Sequence, residues 1–171
     1  MALVLDGNNL LTSGVINSMT AQNASGTYVD FTGIPVGVKR VVISFYNVQK
    51  SGTTNNLLQL GTSSGLVTTG YTSRTAYTGD GPNAVSLTST AGFLTSAGDA
   101  ASTCLVSGNS TLMNITGNTW VFSVTGSRTE SSYSFQGGGY ISLSGSLSRI
   151  RFTTSSGSDT YSGGVINVFY E

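Results

Sequence analysis

A chain of 171 residues, 38% of them hydrophobic, is long enough for one domain with a buried core, and its single cysteine rules out an internal disulfide. Only 8% of its residues are charged, seven Lys and Arg against seven Asp and Glu, where an ordinary domain carries about 25%. That leaves no basic patch to displace counterions from nucleic acid, no cationic face for a membrane-surface helix, and no apolar run near the roughly 20 residues that span a bilayer.

The opening MALVLDGNN has neither a positive segment nor a long apolar one, so it does not read as a standard signal peptide, and synthesis in a cytoplasm is expected. Residues 1–28 are rich in Asn, Ser and Thr, yet carry Leu3, Leu5, Leu10, Leu11, Val15, Ile16 and Met19, too apolar for a solvated tail. They read as an arm that attaches the module or interlocks it with a neighbouring subunit, or else as a local edge strand. Residues 29–171 read as a head domain.

From residue 28 onward, period-2 alternation replaces any helical spacing. Tyr28 to Thr32 places Val29 and Phe31 together. Gly33 to Gly37, with one Pro and two Gly, is a turn. Val38 to Val48 is the clearest strand, with Val41, Ile43 and Phe45 on one face and Val42, Ser44, Tyr46 and Val48 on the other. Leu57 to Leu60 is short and ends at Gly61. GTSSG, TGDGPN and TSTAG break residues 61–103 into loops and short strands anchored by Tyr71, Tyr77, Leu87 and Phe93.

The spacing then predicts strands at Ser102 to Val106 and Leu112 to Thr116, with SGNST as the turn between them. After a TGN turn, Thr119 to Thr125 aligns Trp120, Phe122 and Val124. Past the triple glycine, Tyr140 to Leu147 aligns Ile141, Leu143 and Leu147, and Ser148 to Thr154 aligns Ile150 and Phe152. Val165 to Tyr170 is apolar on both faces, as in a central or interface strand. The whole predicts an all-β, antiparallel β-sandwich, jelly-roll-like, without significant helix.

Chemistry-bearing motifs are weak. With no histidine in the chain, Ser-His-Asp and Cys-His pairs are excluded, as are histidine-containing zinc sites. Gly61-Thr62-Ser63-Ser64-Gly65 matches a nucleophile elbow but lacks its helix and its base. The carboxylates Asp6, Asp30, Asp80, Asp99, Glu130, Asp159 and Glu171 are scattered, mostly beside turns, and suggest no glycosidase pair. Asp6-Gly7-Asn8-Asn9 and Asp80-Gly81 are fragments of a calcium loop without its remaining ligands. Cys104 reads as a small buried filler. The Asn23, Asn109 and Asn114 sequons read as coincidences of composition. Lys39 and Arg40 point to opposite faces. Arg149 and Arg151 share a face; they pair with Asp or Glu on an adjacent strand, or grip a partner carboxylate or an acidic sugar. No catalytic, cofactor-binding or metal-binding residue is assigned, and no cofactor is expected.

Two stretches are more specific. VDFTGIPVGVKRVVISFYNVQKSGTTNNLLQLGTSSGLVTTGYTS (29–73) and LSGSLSRIRFTTSSGSDTYSGGVINVFYE (143–171) resemble a family of tailed-bacteriophage tail-fibre and virion proteins. In that family a DFTGIP…VKRI opening leads into a strand, and the ending runs LSG…DRIRIT…NGTDTFDAGSINILYE. Residues 74–140 match only in style. The resemblance implies a β-sandwich head outside the virion, a homotrimer made in the host cytoplasm, and no catalytic residues. Ser148-Arg149 replaces the usual DR, and no fibre shaft precedes the head, which keeps a capsid decoration (cement) role open. The expected function is therefore a non-enzymatic virion protein of tail-fibre or receptor-binding type. Its expected partners are its own copies, other virion proteins and a host cell-surface glycan. A carbohydrate-binding module outside any phage is the further alternative.

Overall fold

The computed structural model describes residues 15–78, 85–97, 103–129 and 133–171. Among them the strands are β1 (Asn17–Ser18), β2 (Gln22–Asn23), β3 (Tyr28–Thr32), β4 (Arg40–Lys50), β5 (Asn56–Thr62), β6 (Gly65–Leu66), β7 (Thr72–Thr78), β8 (Val85–Ser89), β9 (Phe93–Leu94), β10 (Val106–Thr116), β11 (Thr119–Arg128), β12 (Ser134–Ser142), β13 (Arg149–Thr154) and β14 (Tyr161–Tyr170). No helix occurs among the described residues.

All ladders are antiparallel, and they form two sheets. The larger runs β1-β14-β4-β10-β11-β12-β7-β8, with β2 also on β14; the smaller runs β3-β13-β5-β6, with β9 on β5. The chain passes repeatedly from one sheet to the other, and the two pack face to face as a β-sandwich.

Alternation explains the core. Val41, Ile43 and Phe45 of β4, Leu112 of β10, and Trp120 and Phe122 of β11 are buried against Phe31, Leu58, Leu60, Ile150 and Phe152 of the smaller sheet. Each such side chain contributes about 1.5–3 kcal/mol on full burial. Aromatic rings bridge the layers: Phe45 and Phe152 lie 5.6 Å apart, and Phe93 stacks on Phe122 at 4.4 Å.

The predicted faces of β3, β11 and β13 match the burial, and Tyr71 and Phe93 are buried anchors of the middle region. Several local expectations are corrected. Of the strand expected over Ser102 to Val106, residues 103–105 lie outside any strand and β10 begins at Val106. Val48 lies on the inner face with Val41, Ile43 and Phe45, because Asn47 takes a positive φ of 48° and forms a bulge that shifts the alternation by one residue. SGNST is the interior of the 11-residue β10, not a turn. The triple glycine Gly137–Gly139 lies within β12 instead of preceding it. The strand expected over Tyr140 to Leu147 ends at Ser142, and Leu143 and Leu147 are buried beyond it.

One physical cause underlies two of these corrections. On the inner face of the larger sheet, Phe45 stands directly opposite Gly108, Phe135 opposite Gly126, and Phe122 opposite Gly139. A Cβ at Gly108 would meet the Phe45 ring at 2.9 Å, and one at Gly126 would strike the Phe135 ring. The space a Cβ would need is filled in each case, by the Phe45 and Phe135 rings at Gly108 and Gly126 and by the Thr72 backbone at Gly139.

Residues 15–27 run beside β14 of the same chain. Asn17 and Ser18 pair with Tyr170 and Phe169, and Gln22 and Asn23 pair with Ile166 and Val165. Ala24 is buried and Met19 packs on the core. Residues 1–14, which carry the remaining leucines of the expected arm, lie outside the described residues. β14 thus sits between β4 and the β1/β2 segment, with Ile166 and Val168 inward and Val165 outward.

Candidate binding surfaces

Two outward faces matter, one per sheet. On the larger sheet, the Cα register places Met113, Val121 and Tyr140 in one cross-strand row over β10, β11 and β12. These side chains are 42%, 41% and 54% exposed. The next row reads Thr111, Ser123, Gly138 and Arg74; the one after it reads Asn109, Thr125, Gln136 and Ala76. Tyr46 and Val165 stand opposite each other at the far end. Side-chain polar groups bond within the face: Ser44 Oγ donates to Asn109 Oδ1 at 2.7 Å. Two outward charges of these strands are Arg40, paired with Glu171 at 2.8 Å, and Arg74. The face is an apolar row beside rows of hydroxyls and amides, nearly free of charge.

On the smaller sheet, Arg151 of β13 stands directly opposite Asp30 of β3. Its Nε and Nη2 donate to the two carboxylate oxygens at 2.7 and 2.6 Å. Its guanidinium carbon also lies 3.7 Å from the centre of the Tyr28 ring. The bidentate bond to Asp30 and, more weakly, the charges of Asp30 and Tyr28 raise the Arg151 pKa above its ordinary value, against the opposing effect of burial. Tyr28 and Arg151 line an open groove of about 380 Å³ together with Leu57, Gln59, Ala91 and Thr153.

Of the two arginines singled out in the sequence, Arg151 has the adjacent-strand carboxylate among its anticipated partners. Arg149 does not reach one among the described residues. Its stem lies across Gly61, where a Cβ would come within 2.6 Å of Arg149 Cγ, and its Nε is buried without a hydrogen-bond partner. The pair shares a face, as expected from spacing two apart.

The remaining candidates are dispersed. Ser63 and Ser64 form the turn between β5 and β6, where the Ser64 N–H donates to Thr62 Oγ1 at 3.2 Å. Asp159 accepts from the Thr54 N–H at 3.2 Å and from its hydroxyl at 2.6 Å. Glu171 is held by Arg40, and Lys39 donates to Asn114 Oδ1 at 3.0 Å. Among the described residues no three His, Cys, Asp or Glu side chains gather as metal ligands. Cys104 is buried. Asp6, Asp80, Asp99 and Glu130 lie outside the described residues. The stacking of Tyr28 on Arg151 carried no sequence signal, since it depends on the register between strands more than 100 residues apart in sequence, as the Asp30–Arg151 separation of 121 shows.

No protein-family model, curated protein or solved structure matches this chain.

Proposed function

We propose that this chain is a non-enzymatic structural protein of a tailed-bacteriophage virion, a tail-fibre or receptor-binding head that assembles as a homotrimer on the particle exterior. The observation that carries the reading joins sequence to fold. The two stretches that resemble phage virion proteins, 29–73 and 143–171, supply the paired strands of both layers: β3 with β13 in the smaller sheet and β4 with β14 in the larger. The resemblance therefore falls on one contiguous scaffold, while the stretch that matches only in style supplies β8 to β11 and most of β7 and β12.

The outward face of the larger sheet supports assembly. An apolar row flanked by polar rows in which Arg74 is the charge, with Arg40 already paired to Glu171 at its β4 end, can be buried against another copy with little charge to compensate. The carboxylates support a non-enzymatic role: Asp30, Asp159 and Glu171 are each engaged by a different partner. In this reading residues 1–14 serve attachment, since residues 15–27 already run along β14 of their own chain.

The test is immunogold labelling of intact particles with antibodies raised against the chain. Label at the tail is expected. Label spread over the capsid would favour a decoration protein instead, and absence of the chain from purified particles would overturn the virion reading.

A further inference from the structure

We propose that the groove beside Tyr28, on the outward face of the smaller sheet, is a subsite for one neutral pyranose of a cell-surface glycan. The inference rests on the receptor-binding reading above and gives it an address. Three groups in the groove are fixed by bonds elsewhere. Arg151 spends Nε and Nη2 on Asp30, which leaves Nη1 with two N–H donors. Gln59 donates its Nε2 to the Ala91 carbonyl at 2.9 Å, which leaves Oε1 as an acceptor of set orientation. The Tyr28 ring, held on one side by the guanidinium at 3.7 Å, is still 48% exposed.

A rigid aromatic surface, a fixed donor and a fixed acceptor suit a sugar. Its C–H face can lie on the ring, and its hydroxyls both accept and donate. Because the three groups are already held, little side-chain freedom is lost on binding. Neutrality follows from charge: the Arg151 guanidinium is compensated at the groove by the Asp30 carboxylate. Arg149, the next outward residue of β13, lies over Gly61 and not in the groove lining. A groove of about 380 Å³ falls within the roughly 300–1,000 Å³ of small-ligand sites.

The experiment is a glycan array carrying neutral and acidic glycans, followed by calorimetry with the methyl glycoside of the best neutral sugar. The intact chain is compared with Tyr28→Ala, Tyr28→Phe and Gln59→Ala, each checked by far-UV circular dichroism for an unchanged fold. Retention of neutral glycans is expected, with at least a tenfold loss of affinity in Tyr28→Ala, a severalfold loss in Gln59→Ala, and near-unchanged binding in Tyr28→Phe. Absence of any neutral-glycan binding, preference for acidic glycans, or equal binding by Tyr28→Ala would overturn the proposal. A chain that is present on particles but fails these tests overturns this subsite alone. A chain that binds but is missing from particles overturns the virion reading alone.

Discussion

Asn47 and Ser107 are tied to each other across β4 and β10 where the register shifts: the Asn47 N–H donates to Ser107 Oγ at 2.9 Å, and that hydroxyl lies 3.4 Å from Asn47 Oδ1. The shift continues into β14, where Gly164 takes a φ of 99° and a Cβ would meet Val48 Cα at 2.5 Å. The bulge turns Val48 inward and so completes the core at this end of the sheet.

Asn47 is therefore expected to tolerate Gly but not a β-branched residue. Asn47→Val should lower stability by about 1–3 kcal/mol, because its backbone sits in the left-handed region. Asn47→Gly should change it by less than about 1 kcal/mol. Ser107→Ala should cost about 1 kcal/mol by removing the acceptor. Urea denaturation midpoints measure all three.

The layered antiparallel fold was legible because its core strands alternate cleanly: Val29 and Phe31, Trp120 and Phe122, Ile150 and Phe152 all turned inward as their spacing required. It was illegible where glycine-rich stretches form strands. SGNST and the triple glycine look like turns by composition, but Gly108 lies in β10 with the Phe45 ring close to where its Cβ would stand, and Gly139 lies in β12 with the Thr72 carbonyl there. Likewise, spacing alone set Arg149 and Arg151 on one face, while only the register could show that Asp30 faces Arg151. Tertiary pairing overrides local preference in each case.

The glycines of β12 should not be equivalent. A Cβ on Gly137 or Gly139 would strike the β7 backbone at Arg74 or Thr72, whereas one on Gly138 meets the Phe122 carbonyl oxygen at 3.2 Å. Gly139→Ala is expected to destabilise by about 1–3 kcal/mol through overpacking, and Gly138→Ala by clearly less. Thermal melts of the two variants, compared side by side, check the ordering.

Tyr71 gives the fold a sensitivity to alkali. Its hydroxyl accepts from the Leu60 N–H at 2.7 Å and donates to the Val67 carbonyl at 2.9 Å. Burial pushes its pKa up to about 12 from 10.0, although the Leu60 hydrogen bond pulls the other way. The unfolded chain then releases this proton before the folded one does. The Tyr71 contribution is fully present below pH 10 and is lost between pH 10 and about 12, at about 1.4 kcal/mol per pH unit. Tyr71→Phe should be less stable at neutral pH by about 1–3 kcal/mol. The difference from wild type should narrow steadily above pH 10 in urea titrations.

Under the proposed trimeric assembly, packing through the larger sheet would make its apolar row the sensitive point. Val121→Lys combined with Tyr140→Asp should dissociate the trimer while leaving the circular dichroism spectrum unchanged, because both side chains point away from the core. Light scattering at micromolar concentration should give a trimer mass for wild type and a monomer mass for the variant. A wild-type monomer, or a variant that remains trimeric, would remove this face from the assembly.

The most direct measurement is cryo-electron microscopy of native particles carrying this protein. The account predicts a threefold density at the outer end of a tail fibre that fits the two-layered sandwich, with the Met113–Val121–Tyr140 faces buried between protomers and the Tyr28 grooves facing outward. Density on the capsid lattice, or particles that lack the protein, would contradict it.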